Sequence, residues 1–228
     1  MSAKLLRVVG VVVVGATLAC VTAISRAQLV FATGDDADVS ADGLRLVDRE
    51  LIVGAWAKPD LDLSGYTRIY YQPTIVAFRD VDGATPDLFS TTRTDDIYSV
   101  SDTRQAQLRE QFAEAVYEAI GDIDRFDLTT DMGRDVLLVR VSLLDFISAV
   151  PPDIAGSRTG SIRWAYEATL SVEVRDGMSD EVLARTIERQ RADGPIDIND
   201  VTVLTPRLLN NWAGRLARNV QRFGELAR

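Results

Sequence analysis

Histidine is absent from all 228 residues of this chain, and cysteine occurs once, at Cys20. The first absence excludes Ser-His-Asp and Cys-His nucleophile arrangements, zinc sites built on histidine, and a histidine pH switch. The second removes thiolate metal sites and any intramolecular disulfide. Stability must come from a packed core, and roughly 200 residues suffice for one ordinary domain. No metal and no cofactor is expected. Lysine is nearly missing as well: Lys4 and Lys58 are the only two, and every other cation is arginine. The formal net charge is −9; losing Lys4 and Arg7 with a leader deepens it to −11, and losing Arg26 too gives −12. An acidic surface of this kind repels phosphate backbones, so nucleic acid is not an expected partner.

What the chain does have is a distinctive start. Lys4 and Arg7 precede an apolar run over residues 8–24. As a helix, its 17 positions span roughly 25 Å, short of the ~30 Å hydrocarbon core of a bilayer. A basic start, a short apolar centre and small residues at its end form an export signal. Three fates of the leader stay open: lipidation at Cys20, cleavage after Ala27, and retention as a thin anchor. Thr17-Leu18-Ala19-Cys20 resembles a bacterial lipobox, with Thr17 where leucine is usual. Ser25-Arg26-Ala27 offers the small residues of an ordinary cleavage site. The expected location is the periplasm or the outer membrane, lipid-anchored.

The rest divides into a tether and lead-in over 28–60 and a single domain over 61–228. The acidic, turn-rich stretch 34–43 is expected to be mobile, and 44–56 to drape over the domain without forming a core element. A first strand is predicted at 66–78, with Pro73 marking an edge or a bulge. Residues 80–100 read as a loop. A helix follows, capped at Ser101 or Asp102 and stopped by Gly121, with Leu108, Phe112, Ala115, Val116, Ala119 and Ile120 at helical spacing. Strands are predicted at 135–146, 161–175 and 181–191. The middle one alternates throughout, with Ile162, Trp164, Tyr166, Ala168, Leu170, Val172 and Val174 on one face. Pro195 marks a loop. Thr205-Pro206 opens the last helix, whose apolar face carries Leu209, Trp212, Ala213, Leu216, Val220 and Phe223. The predicted fold is α+β: a four-stranded, mainly antiparallel sheet, order β-α-β-β-β-α, with both helices on one face.

Four stretches occur in an order that resembles one family. They are YTRIYYQPTIVAFRD, IYSVSDTRQAQLREQFAEAVYEAI, DVLLVRVSLLDFISAVPP and YEATLSVEVRDGMSDEVLARTIERQ. The family is the bacterial lipoproteins catalogued as domain of unknown function 3313, and the likeness covers about residues 50–192. It implies an envelope lipoprotein and brings no assigned chemistry.

Candidate sites are few. Counted from Asp36, an EF-hand would need glycine at position six and glutamate at twelve, where Ala41 and Val47 stand. Carboxylate pairs for acid/base work are Asp95-Asp96 and Glu167 with Glu173. Lys58 reads as a surface lysine. Trp164, Tyr166 and Trp212 are candidates for a ligand or partner groove between sheet and last helix, against core packing as the plain alternative. Arg207, Arg215, Arg218 and Arg222 decorate the last helix. The functional expectation is a non-catalytic envelope protein binding a partner protein or an apolar ligand, with the membrane reached through its N-terminus. The alternative is a carboxylate-dependent hydrolase of the envelope.

Overall fold

The computed structural model describes residues 29–81, 97–151 and 160–227. The leader with Cys20, the Asp95-Asp96 pair and Pro152 lie outside the described residues. The strands are β1 (Arg45–Leu46), β2 (Ala55–Ala57), β3 (Arg68–Tyr71), β4 (Ile75–Phe78), β5 (Asp127–Leu128), β6 (Val136–Ser148), β7 (Ser161–Asp176) and β8 (Val182–Asp197). Helix α1 spans Asp102–Gly121 and α2 spans Val201–Leu226.

The fold is α+β, but the sheet has eight strands where four are predicted. Its order is β1-β2-β8-β7-β6-β3-β5, with β4 also paired to β6. β6, β7 and β8 form the predicted antiparallel meander. The predicted first strand breaks at Pro73 into β3 and β4, since proline cannot donate to a ladder. Both pieces lie parallel to β6, one against residues 136–139 and the other against 142–146.

The lead-in does not merely drape. β1 and β2 extend the sheet beyond β8, and Leu44, Leu46, Val47, Ile52, Ala55 and Ala57 are buried. The acidic stretch before them is tied down as well. Asp42 accepts from Arg185 Nη2 at 2.6 Å, and Asp38 accepts from Trp56 Nε1 at 3.3 Å. The segment is largely exposed, as its composition suggests, but Arg185 of β8 and Trp56 of β2 give two of its acids fixed partners.

α1 forms as its spacing predicts, with the Ser101 side chain accepting from Arg104 N–H. α2 starts earlier than expected, at Val201, so Pro206 sits inside it. Proline removes one helical hydrogen bond. The turn before it is held by Thr205 Oγ1, which donates to Val201 O at 2.7 Å. Arg104 Nη2, reaching from α1, donates to Thr205 Oγ1 at 3.0 Å. β8 likewise runs through Pro195, because a bulge at Gly194, where φ is +130°, takes the proline out of the ladder.

Both helices cover one sheet face. Phe112, Val116, Leu209, Trp212, Leu216 and Phe223 pack there on Leu137, Val139, Val141, Leu170, Val172 and Val174. Toward the upper end of the sheet the alternation breaks. β6 carries an extra residue between Leu144 and Ile147, with Asp145 at φ +54°. β7 carries one between Trp164 and Glu167. Below the bulge of β6, the odd residues Leu137 to Leu143 face the main core; above it, Phe146 does. Ile147, Ala149 and Trp164 then form a second, smaller core with Ile97.

Candidate functional site on the open face of the sheet

The sheet face turned away from the helices carries most of the charge of β6, β7 and β8, and register explains its order. Arg140 pairs with Glu173, Glu173 with Arg185, and Arg185 with Trp56 across four neighbouring strands. Opposite charges that face each other across strands attract. Glu173 accepts from Arg185 Nε at 2.9 Å and from Arg175 Nε at 3.0 Å, with Arg140 Nη1 3.8 Å away. Arg140 also donates to Gln72 at 2.7 Å. Arg185 links the row onward to Asp42, where a hydrogen bond from Ser40 is the main cause that holds the carboxyl below its ordinary range.

A second network lies above it. Glu167 is buried, and its carboxylate pairs with Arg189 and Arg191. Arg191 Nε also donates to Asp193 at 2.6 Å. Arg79 grips Asp145 with two nitrogens, which lowers the acid's pKa and raises its own. Exposed pairs of this kind contribute little stability, about 0–1 kcal/mol each. Their effect is to fix long side chains in place.

Between the two networks runs a row with no charge: Ile75, Ser142, Ser171 and Ile187, in direct register. Leu144 stands beside it in the next row, opposite Thr169. Ile75, Ile187 and Leu144 are 49 %, 41 % and 38 % exposed. Three large apolar side chains thus stand in water between arrays of charges already occupied by one another.

The three rings singled out in the sequence are not brought together. Tyr166 and Trp212 are buried in the main core, and the Tyr166 ring lies 5.2 Å from that of Phe146. Trp164 belongs to the second core, since the bulge of β7 separates it from Tyr166. Its outer surroundings form an open hollow of about 650 Å³, which Arg163, Arg191, Asp193 and Pro195 also line. Glu167 and Glu173 share the open face, each within its own set of arginines. Lys58 pairs with Glu181. Of the last helix's arginines, Arg215 binds Glu188 at 2.8 Å and Arg222 donates to the Leu51 carbonyl, while Arg207 and Arg218 are exposed. No group of three or more metal-ligating side chains occurs among the described residues.

The sequence reading missed Ile75, Leu144 and Ile187. The period-two alternation of β7 gave the polar face, but the neighbours of a row follow only from cross-strand register.

No protein-family model matches the chain, and no curated protein matches it. Among solved structures, the chain is similar to a DUF330 protein of Xanthomonas campestris at 12% identity and TM-score 0.43, over 74% of this chain and 90% of that one. It is similar to the hypothetical protein CT253 of Chlamydia trachomatis at 12% identity and TM-score 0.37, over 71% and 98%. PelC of Paraburkholderia phytofirmans, a dodecamer, matches at 8% identity and TM-score 0.32, over 72% and 94%. Likeness this distant carries no argument about what the chain does or how it assembles.

Proposed function

We propose that this chain is an exported, non-catalytic protein of the cell envelope that docks a partner protein on the open face of its sheet. The observation that carries the reading is the uncharged row on that face. Ile75, Leu144 and Ile187 stand exposed amid charges that are mutually paired. A partner covering this row gains apolar burial of roughly 25 cal/mol per Å². It meets arginines whose geometry is already set, which lowers the ordering cost of association. Lys4, Arg7 and the apolar run over residues 8–24 support export. Ala19-Cys20 at the end of the apolar run supports a lipid anchor at Cys20, with the outer membrane or periplasm as the location.

The test uses the full chain in its own cells. A photo-crosslinking residue at Ile187 should yield one discrete protein adduct, and the same residue at exposed Arg207 should not. No adduct at Ile187, or the same adducts at both positions, refutes docking on this face. Residues 1–30 fused to a reporter active only outside the cytoplasm should give signal, and Cys20→Ala should abolish lipid labelling. A silent but expressed reporter refutes export.

A further inference from the structure

A second surface feature lies at the far edge of the sheet, away from the uncharged row. β5 covers only the first half of β3, pairing with Arg68 and Ile69. Ile69 gives its carbonyl to Thr129 N–H at 2.9 Å. A strand repeats every two residues, so Tyr71 turns its backbone N–H and C=O toward the same side. No described strand meets them there. The space left is an open hollow of about 440 Å³, lined by Tyr70, Tyr71, Leu128, Thr129 and Thr130 and, from α1, by Tyr117. The Tyr71 and Tyr117 rings stand 6.2 Å apart at 58°. Tyr117 is 56 % exposed.

The chemistry of this lining is unusual for the molecule. Charged residues make up 26% of the chain, yet none of the described ones lines the hollow. Arg68 reaches the lining at Thr129 Oγ1, 3.5 Å away, but both oxygens of Asp135 hold its guanidinium. The hydroxyl of Tyr71 is occupied by Thr74. Tyr70 borders the hollow from the opposite sheet face, since it pairs with Leu138. The hydroxyls of Tyr117 and Thr130 make no hydrogen bond to any described residue. The site therefore offers aromatic ring surface, two free hydroxyls and an unpaired strand edge, without an unpaired charge.

Three ligand classes can be weighed against that set. A phosphate or carboxylate would find only Arg68, whose charge is already neutralised by Asp135. A wholly apolar ligand would strip water from the hydroxyls and from the Tyr71 backbone without replacing the lost hydrogen bonds, at a cost for each buried polar group. A sugar ring matches both halves: its C–H face lies on a tyrosine ring, and its hydroxyls exchange hydrogen bonds with tyrosine, threonine and backbone. Pockets of ~300–1,000 Å³ with apolar walls and a few polar groups are the usual size and make-up of small-ligand sites. We propose that the tyrosine hollow at the β3–β5 edge binds a neutral glycan.

The experiment is saturation-transfer NMR on the mature protein, followed by calorimetric titration. The probes are cellotetraose, maltotetraose and chitotetraose, with tetragalacturonate as the acidic counterpart. At least one neutral probe should receive saturation, and tetragalacturonate should not. Tyr117→Ala removes an exposed ring, so the fold should hold, with an unchanged melting temperature. It should raise Kd for the neutral probe about tenfold, the worth of one aromatic contact. Thr130→Val, which removes a single hydroxyl, should raise Kd severalfold. Silence from all three neutral probes overturns the proposal. So does binding that Tyr117→Ala leaves intact, which would place it elsewhere, or equal binding of the acidic probe.

Discussion

Replacing Gly54 with alanine should be among the most damaging single-methyl changes in this protein. Gly54 lies between β1 and β2 with φ +59°, in the left-handed region that an L side chain enters at a cost of about 1–2 kcal/mol. Alanine recovers part of that, about 0.4–1 kcal/mol, by restricting the unfolded chain. A Cβ at this position would also overlap the carbonyl oxygen of Ile187, on backbone that cannot swing aside. The Gly54 carbonyl accepts from Ile187 N–H at 2.8 Å, one of the bonds that join β2 to β8. Relieving the overlap means losing that bond, worth about 0.5–1.5 kcal/mol, and loosening the buried residues beneath it. These terms sum to roughly 0.5–3 kcal/mol, or a fall in Tm of about 1–12 °C for a domain of this size, before any loosening of the residues beneath. Gly43 supplies the control. Its φ is +79°, but nothing lies within 4 Å of its would-be Cβ. Gly43→Ala should therefore cost only the conformational part, about 1 kcal/mol or less. Calorimetric scans of the two variants beside the parent check this. Equal losses would mean that β2 does not pack against β8, and the extended sheet described above would be refuted.

Trp212 is 3 % exposed against the sheet, so Trp212→Ala should cost about 3–5 kcal/mol, whereas exposed Arg218→Ala should change stability by less than ~0.5 kcal/mol. Denaturant midpoints of the two variants separate these outcomes, and a tolerant Trp212 would overturn the packing of α2. Asp176 responds to pH: burial pushes its carboxyl up, but hydrogen bonds from the Tyr66 hydroxyl and from Ser179 outweigh burial and bring it from 3.8 down to about 2. A depressed folded-state pKa stabilises the fold above the unfolded value, so this contribution is complete above about pH 4 and is lost as pH falls through about 2. Melting curves across that interval should fall less steeply for Asp176→Asn than for the parent; parallel curves would show that the carboxylate is not the group responsible.

The helices were legible because their signals are local. Ser101 caps α1 and Gly121 ends it where the spacing of Leu108, Phe112 and Val116 requires. The meander was legible for the same reason, as long hairpin strands show their period. What escaped was short or non-local. β1, β2 and β5 are two or three residues long and have no period of their own; they are strands only because β8 and β3 offer an edge. The bulges were hidden as well, because an extra residue in one strand is defined only against its partner. That is why Trp164 and Tyr166, which share a parity in the sequence, part company in the fold. The open-face row has the same origin: Ile75 and Ile187 lie more than a hundred positions apart and meet only through Ser142 and Ser171.

The staggered bulges of β6, β7 and β8 divide one continuous sheet into two unequal territories. The lower part is clamped by two long helices. The upper part shares Phe146, Ala165 and Tyr166 with the main core and adds a small cluster of its own, Ile147, Ala149 and Trp164. Each bulge also adds twist and interrupts the ladder, so cooperativity weakens along the line where they fall. Proteins open first where apolar contacts are fewest. The side chains of the small cluster therefore answer to a different set of neighbours from those beneath the helices, and a change at Trp164 bears on the upper end before it bears on the whole.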